Sequence, residues 1–369
     1  MKNRTYVLYS DIEEAIKKYD LNYIICYGGR NDGKSYAAKE KVLRDFFETG
    51  AEFCYLRRYD SDIKRDADNT LYWEDFMKGS PNKIQELSRK AWDGIKAEKG
   101  RFFLYTIDEN GKQHSGAAVG YIHALSMSEK RYKSLQFPDV QTVIYEEFCT
   151  AGDYLYHESR LFSNYISTIA RDRRINVIMV GNTISKHNIY FREWEMVNVP
   201  KQKPGTIDVY SYADESGNII RVGAFYTHAI KENKMFFGQS AKMITGGEWD
   251  SIEQPKLEKD ECEYNEAYRF ILEIDANNRF LCRFMYRDQI GVWYVTPKTT
   301  PAKAGERLIS PDPVESPFYT SGLIPINATE QRLFPYFRMG RIAYSDNLTG
   351  TEFKRGIAQL SDLTGYHKE

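Results

Sequence analysis

The stretch CYGGRNDGKSYAAKE, residues 26–40, decides the fold. The apolar run NYIIC leads into it, glycines and polar residues form a turn, and Lys34, Ser35 and an alanine-rich run open a helix. Gly28-x-x-x-x-Gly33-Lys34-Ser35 is the complete Walker A phosphate-loop spacing. Glycines are needed because backbone N–H groups can wrap phosphate oxygens only where no side chain intervenes, and the helix adds its positive end. Gly28, Gly29, Arg30, Asn31, Asp32, Gly33, Lys34 and Ser35 are therefore the expected nucleotide-binding residues. Lys34 is expected to reach the β and γ oxygens of ATP, and the Ser35 hydroxyl to hold Mg2+. Arg30 either touches the γ-phosphate or a neighbouring acid, or points to solvent. Asp32 adds negative charge beside phosphates, so it must turn away or pair with a cation.

Outward from this loop, buried strand patterns alternate with helices. KSYAAKEKVLRDFFETG reads as a helix stopped by Gly50, and AEFCYLRRY as a second strand. SDIKRDADNTLYWEDFM suggests a lid or inserted helix, and Asn110-Gly111 a hairpin turn between apolar runs. VQTVIYEEF is a third strand, ESRLFSNYISTIARDRR an amphipathic helix with Leu161, Tyr165 and Ile169 on one face, and INVIMVGNT a fourth strand. Such alternation indicates an α/β domain with a parallel sheet, over residues 1–200. A Pro- and Gly-containing stretch then suggests a linker or lid region over 201–254. Short strand patterns follow, indicating a mainly β or α+β domain over 255–369.

The second half of the site is expected at the strand ends. Glu146 and Glu147 close the third strand, where ligand crevices of parallel sheets lie. Glu146 is expected to hold Mg2+, although Asp is usual there, and Glu147 to orient the attacking water, which points to hydrolysis rather than transfer. Asn182, ending the fourth strand, either senses the γ-phosphate or caps a turn. Arg171 and Arg173 are candidates for an arginine finger acting on a neighbouring subunit, while Arg174 suits a basic helix end.

Lys+Arg total 51 and Asp+Glu 52, a formal net charge of −1, which argues against a strongly basic DNA wrapper but permits a local basic groove. The five cysteines form no CxxC pair and the six histidines no ligand spacing, so neither a zinc site nor a redox motif is indicated. No run approaches about 18 apolar residues, so no membrane partner is expected.

YGGRNDGKSYAAK, FCYLRRY, SMSEKRY, VQTVIYEEF, IARDRRINVIMVGNT and IGVWYV, in this order, resemble the genome-packaging ATPases of small protein-primed podoviruses, encapsidation proteins related to terminase large subunits. An arginine inside the phosphate loop, here Arg30, is part of that resemblance. The resemblance implies a RecA-like (ASCE) P-loop ATPase domain with an extra strand between the phosphate-loop strand and the acidic strand. It also implies a small linker domain and an RNase-H-like C-terminal domain. The implied activity is ATP-driven translocation of double-stranded DNA into an empty procapsid through the portal, by a homo-oligomeric ring, a pentamer. The place of action would be the host cytoplasm, with transient attachment to the procapsid, and a structural packaging RNA is a further partner left open. Arg171 falls at the trans-acting finger and Lys130 at a second interface position, and Arg173 stays a trans-interface candidate from the residues alone. The C-terminal domain would be a vestigial nuclease, since Glu273 and Asp275 find only Asp288 as a candidate third acid. Lys64, Arg65, Arg131 and Lys133, with Lys130, are candidates to grip DNA phosphates without sequence preference.

Three other readings compete. One is a different P-loop DNA translocase or helicase, separable by strand separation against duplex translocation. Another is a nucleotide-gated portal scaffold with negligible turnover, suggested only by Glu146 in place of Asp. A P-loop kinase is disfavoured by the tandem acids.

Overall fold

The computed structural model describes residues 6–64, 71–133, 135–150, 154–155, 158–183, 188–213, 217–227, 254–275 and 278–364. The chain divides into two compact units, one of residues 1–183 with 201–248 and one of residues 184–200 with 249–369. Among the described residues no helix is long and apolar enough to cross a membrane.

The first unit is built on a nine-stranded sheet. Its strands are β1 (Tyr23–Gly28), β2 (Glu52–Arg57), β3 (Gly94–Glu98), β4 (Arg101–Ile107), β5 (Gln113–Ala124), β6 (Val140–Glu146), β7 (Asn176–Asn182), β8 (Thr206–Ala213) and β9 (Ile219–Tyr226). They lie in the order β3-β4-β5-β2-β6-β7-β1-β9-β8. The six central strands from β5 to β9 run parallel, and antiparallel partners close both edges. The central strands are near-continuous apolar runs because both faces are covered, whereas edge strand β8 alternates half-buried and exposed positions. The covering helices are α1 (Tyr9–Tyr19), α2 (Lys34–Thr49) and, after β6, α3 (Glu158–Ala170). Helix α2 begins at Gly33 and ends at Gly50, both with positive φ (87° and 78°), where a side chain would be strained. On α3 the buried face is Phe162, Tyr165, Ile166 and Ile169, while Leu161 stays only half-buried.

The parallel core, with β7 lying between β1 and β6, has the arrangement the sequence led us to expect. One boundary differs. Residues 206–213 and 219–226, expected in a linker, form β8 and β9 of the main sheet. The Pro-Gly turn before them marks a hairpin entry rather than a domain end. The rest of the expected linker, residues 228–253, lies outside the described residues.

The second unit holds a six-stranded sheet in the order β14-β13-β10-β11-β12-β15. Strands β10 (Asn265–Asp275), β11 (Asn278–Arg287) and β12 (Ile290–Pro297) form an antiparallel meander. Short strands β13 (Leu308–Ile309), β14 (Tyr319–Thr320) and β15 (Ile342–Tyr344) add in parallel on its flanks. Helices at Ala328–Arg338 and Asn347–Thr364 complete the unit. Its core is aromatic: Phe270, Trp293, Phe334, Phe337 and Phe353 pack together, and the Trp293 indole donates to the Leu333 carbonyl at 3.2 Å. The buried Arg307–Glu330 ion pair (2.7 Å) ties β13 to the helix behind it.

Candidate nucleotide site

The expected phosphate loop bridges the end of β1 and the start of α2. Gly28 is required here by close approach. A Cβ at this position would lie 2.9 Å from both the Thr227 carbonyl oxygen and Asp32 Oδ2, with the Thr227 hydroxyl closer still. Asn31 turns through a left-handed φ of 59°, and Gly33 through 87°, leading into the first turn of α2. Lys34 opens that helix and is buried, its Nζ donating to the Gly29 carbonyl at 2.5 Å and to Asp32 Oδ1. Asp32 therefore pairs with a cation, as it must, but the cation is Lys34 itself. Ser35 is half-buried beside it, and Arg30 and Asn31 are exposed. The loop suits a polyphosphate: it has a glycine a side chain would block, a buried ammonium and a helix amino end. Ser35 and Glu146 are the residues that would hold Mg2+.

The strand register brings the remaining residues to the same edge. Gly28 pairs with Asn182, and Glu146 with Val180, so the ends of β1, β7 and β6 lie side by side. Glu146 is the buried last residue of β6. Glu147 follows with a left-handed φ of 59°, uncommon for a residue with a Cβ, and its side chain is exposed. That reversal carries its carboxylate to Arg57, at the end of neighbouring β2, at 2.8 Å.

Sequence reasoning missed how this turn is held. Arg58, buried after β2, donates to both carboxylate oxygens of buried Glu158 (2.8 and 3.1 Å) and to the carbonyls of Glu147 (3.0 Å) and Phe148 (2.8 Å). Tyr145 and the Leu155 N–H donate to the same carboxylate, each at 2.8 Å. The YLRRY signal was visible, but nothing local announces that its second arginine finds a glutamate 100 residues on.

Arg171 and Arg173 lie at the other edge of the sheet, between the end of α3 and the start of β7. A strand of seven residues spans about 3.3 Å per residue, so neither can reach its own phosphate loop. Arg171 is exposed, its guanidinium donating to the Leu135 carbonyl at 3.2 Å. Arg173 departs from expectation. Its guanidinium donates to the carbonyls of Pro138, Val140, Phe137 and Ile169 at 2.7–2.9 Å, which commits it to its own subunit rather than to an interface. Arg174 pairs with Asp20 at 2.7 Å.

Lys130 and Lys133 are exposed, and Arg131 pairs with Asp60 at 3.2 Å. Lys64 ends a short helix, Asp60–Lys64, while Arg65 lies outside the described residues.

In the second unit, Glu273 pairs with Arg279 at one end of β11, while Asp288 sits in the turn at its other end, bound to Arg287 at 2.9 Å. Asp288 is therefore no partner for Glu273 and Asp275. Among the described residues no group of three or more His, Cys, Asp or Glu side chains could hold a metal ion.

A family model, the podovirus DNA encapsidation protein (Gp16), matches residues 6–298. The chain is similar to the DNA packaging protein of Bacillus phage B103, 25% identical over 344 residues and covering 90% of this chain and 94% of that one. It is similar to the DNA packaging protein of Bacillus phage phi29, 26% identical over 287 residues, covering 76% of this chain and 74% of that one. Its fold is similar to a chain of the bacteriophage Phi-29 viral genome packaging motor assembly, at a TM-score of 0.51 and 17% identity, covering 96% and 99% of the two chains.

Proposed function

The chain belongs to the podovirus DNA encapsidation protein (Gp16) family, and from that premise we propose that it is an ATP-hydrolysing motor that drives double-stranded viral DNA into a procapsid. The observation that carries this reading is the alignment of Gly28, Asn182 and Glu146 at the ends of three adjacent parallel strands, with Lys34 opening the next helix. In this reading residues 28–35 bind the phosphates of ATP, and Ser35 and Glu146 hold Mg2+, which neutralises phosphate charge when bound. Glu147 orients the attacking water, which requires its ion pair with Arg57 to open. Asn182, adjacent to Gly28, contacts the terminal phosphate.

Because Arg171 lies at the far edge from its own loop, its partner is the loop of the next subunit, with Lys130 supporting the same contact. This supports a closed ring, which in our reading is a pentamer on the portal within the host cell, with a structural RNA left open as a further partner. Lys64, Arg65, Lys130, Arg131 and Lys133 are the proposed phosphate-gripping residues on DNA. The second unit, with its mixed sheet, is proposed as an RNase-H-like domain whose acids no longer converge, serving to hold portal or nucleic acid.

Steady-state ATP hydrolysis with and without duplex DNA tests the reading. Glu147→Gln should lower turnover by about 10²–10⁴-fold without weakening nucleotide binding, and DNA should change the native rate. Binding of ATP with no hydrolysis by the native protein, alone or on procapsids with DNA, would overturn it in favour of a nucleotide-gated scaffold.

A further inference from the structure

Only the backbone of Asp32 has a part in the phosphate binding above, yet its carboxylate is among the most enclosed charged groups described in the first unit. Its carboxylate is 3% exposed and held at both ends, Oδ1 accepting from Lys34 Nζ and Oδ2 from the Thr227 hydroxyl. Thr227 follows β9 and is itself fixed. Its N–H donates to the Tyr27 carbonyl at 2.8 Å, and its hydroxyl lies 3.1 Å from the same oxygen. Gly28 leaves the space this contact occupies, since a Cβ there would strike both Thr227 and Asp32. The chain therefore grips a loop aspartate from the residue just past β9, 195 positions away.

We propose that Asp32 is a built-in competitor for the nucleotide's phosphates, claiming the ammonium of Lys34 that the β and γ oxygens need, with Thr227 keeping it in place. The inference rests on the nucleotide-site reading given above. Lys34 carries one positive charge and three donors, one of which goes to Gly29. A triphosphate and a buried carboxylate cannot both take that charge without strong like-charge repulsion. Nucleotide binding therefore requires Asp32 to yield Lys34, and the apparent affinity falls by the fraction of molecules in which Lys34 is released. The same competition acts on ADP, whose β-phosphate uses the same lysine, so Asp32 promotes product release. Asparagine has nearly the same shape but no charge, so it separates competition from scaffolding.

The test is an equilibrium and stopped-flow titration of the full chain with fluorescent ADP and a non-hydrolysable ATP analogue, both with Mg2+. Asp32→Asn should tighten both nucleotides by about tenfold or more and slow ADP dissociation in proportion. Thr227→Val, which frees Asp32 from its tether, should move affinity in the same direction by a smaller factor. On a Lys34→Met background the effect of Asp32→Asn should shrink to within about twofold, a coupling that a merely structural aspartate would not produce. If the native chain binds nucleotide and Asp32→Asn binds it equally or more weakly, the competitor role is wrong. Should Asp32→Asn fail to fold, Thr227→Val decides alone, unchanged or weaker binding being the contrary result. Failure of the native chain to bind any nucleotide would instead sink the nucleotide site itself.

Discussion

At the scale of single residues, neighbouring arginines of the IARDRR stretch do different work. Arg173 saturates four backbone carbonyls around the end of α3 and the approach to β6, whereas Arg171 holds one and stays exposed. A charged donor to buried carbonyls contributes more than a neutral one, and its loss leaves those acceptors unsatisfied. Arg173→Ala should therefore destabilise the first unit by about 2–3 kcal/mol in urea unfolding, with little change in nucleotide affinity. Arg171→Ala should leave unfolding within about 0.5 kcal/mol of native while abolishing hydrolysis by assembled rings. The sequence could nominate both arginines because basic residues after a helix are a local pattern. It could not rank them, because the carbonyls that claim Arg173 come mostly from more than 30 residues earlier. The phosphate loop was legible for the opposite reason: its glycines, lysine and serine are contiguous, and the backbone geometry they impose is local. Even there the pairing of Asp32 with Lys34 and Thr227 stayed hidden, since half of it arrives from β9.

At the scale of elements, the central parallel strands were readable because strands buried on both faces must be apolar throughout. The edge strands were not: β3 sits in the polar stretch GIKAE, and β8 alternates like a loop with scattered aromatics. The contact between β5, the turn at Ser128–Tyr132 and α3 is likewise invisible in any one segment. Here His123 stacks on Tyr132 with ring centroids 3.9 Å apart and lies 2.9 Å from the Tyr165 hydroxyl. Burial pushes the His123 imidazole down from its ordinary 6.5 to about 3. The sign follows directly. Between those values the unfolded chain binds a proton at this position and the folded chain does not, so folding stability falls as the pH drops. The loss approaches about 1.4 kcal/mol per pH unit well below pH 6.5 and levels off near pH 3. His123→Phe should remove this contribution, so the difference in melting temperature between native and variant should narrow or reverse from pH 7 to pH 4. A parallel pH dependence in both proteins would show that His123 is not the group responsible.

At the scale of the whole molecule, the sheet separates the phosphate loop from Arg171 by the length of its strands. The phosphate loop, Glu146 and Asn182 occupy the edge where the parallel strands end, and Arg171 the edge where they begin. No rotamer of Arg171 spans that distance, so in the proposed mechanism Arg171 acts on the loop of another copy, and each active site would be shared. Sharing has a consequence that can be measured by mixing. Rings of Lys34→Ala subunits hold the phosphates too weakly for turnover but present a sound Arg171, and rings of Arg171→Ala subunits bind nucleotide but present no arginine. Each should be inactive alone. In a mixed ring, an Arg171→Ala subunit beside a Lys34→Ala subunit recovers one complete site, so mixing the two inactive proteins should restore ATP hydrolysis, highest near equal proportions. If Arg171 instead served only its own subunit, every site in the mixture would be defective and activity would stay at the level of the separate variants. Glu147→Gln separates the cases further: it resides with Lys34 at the loop edge, so mixing it with Lys34→Ala should restore nothing, while mixing it with Arg171→Ala should.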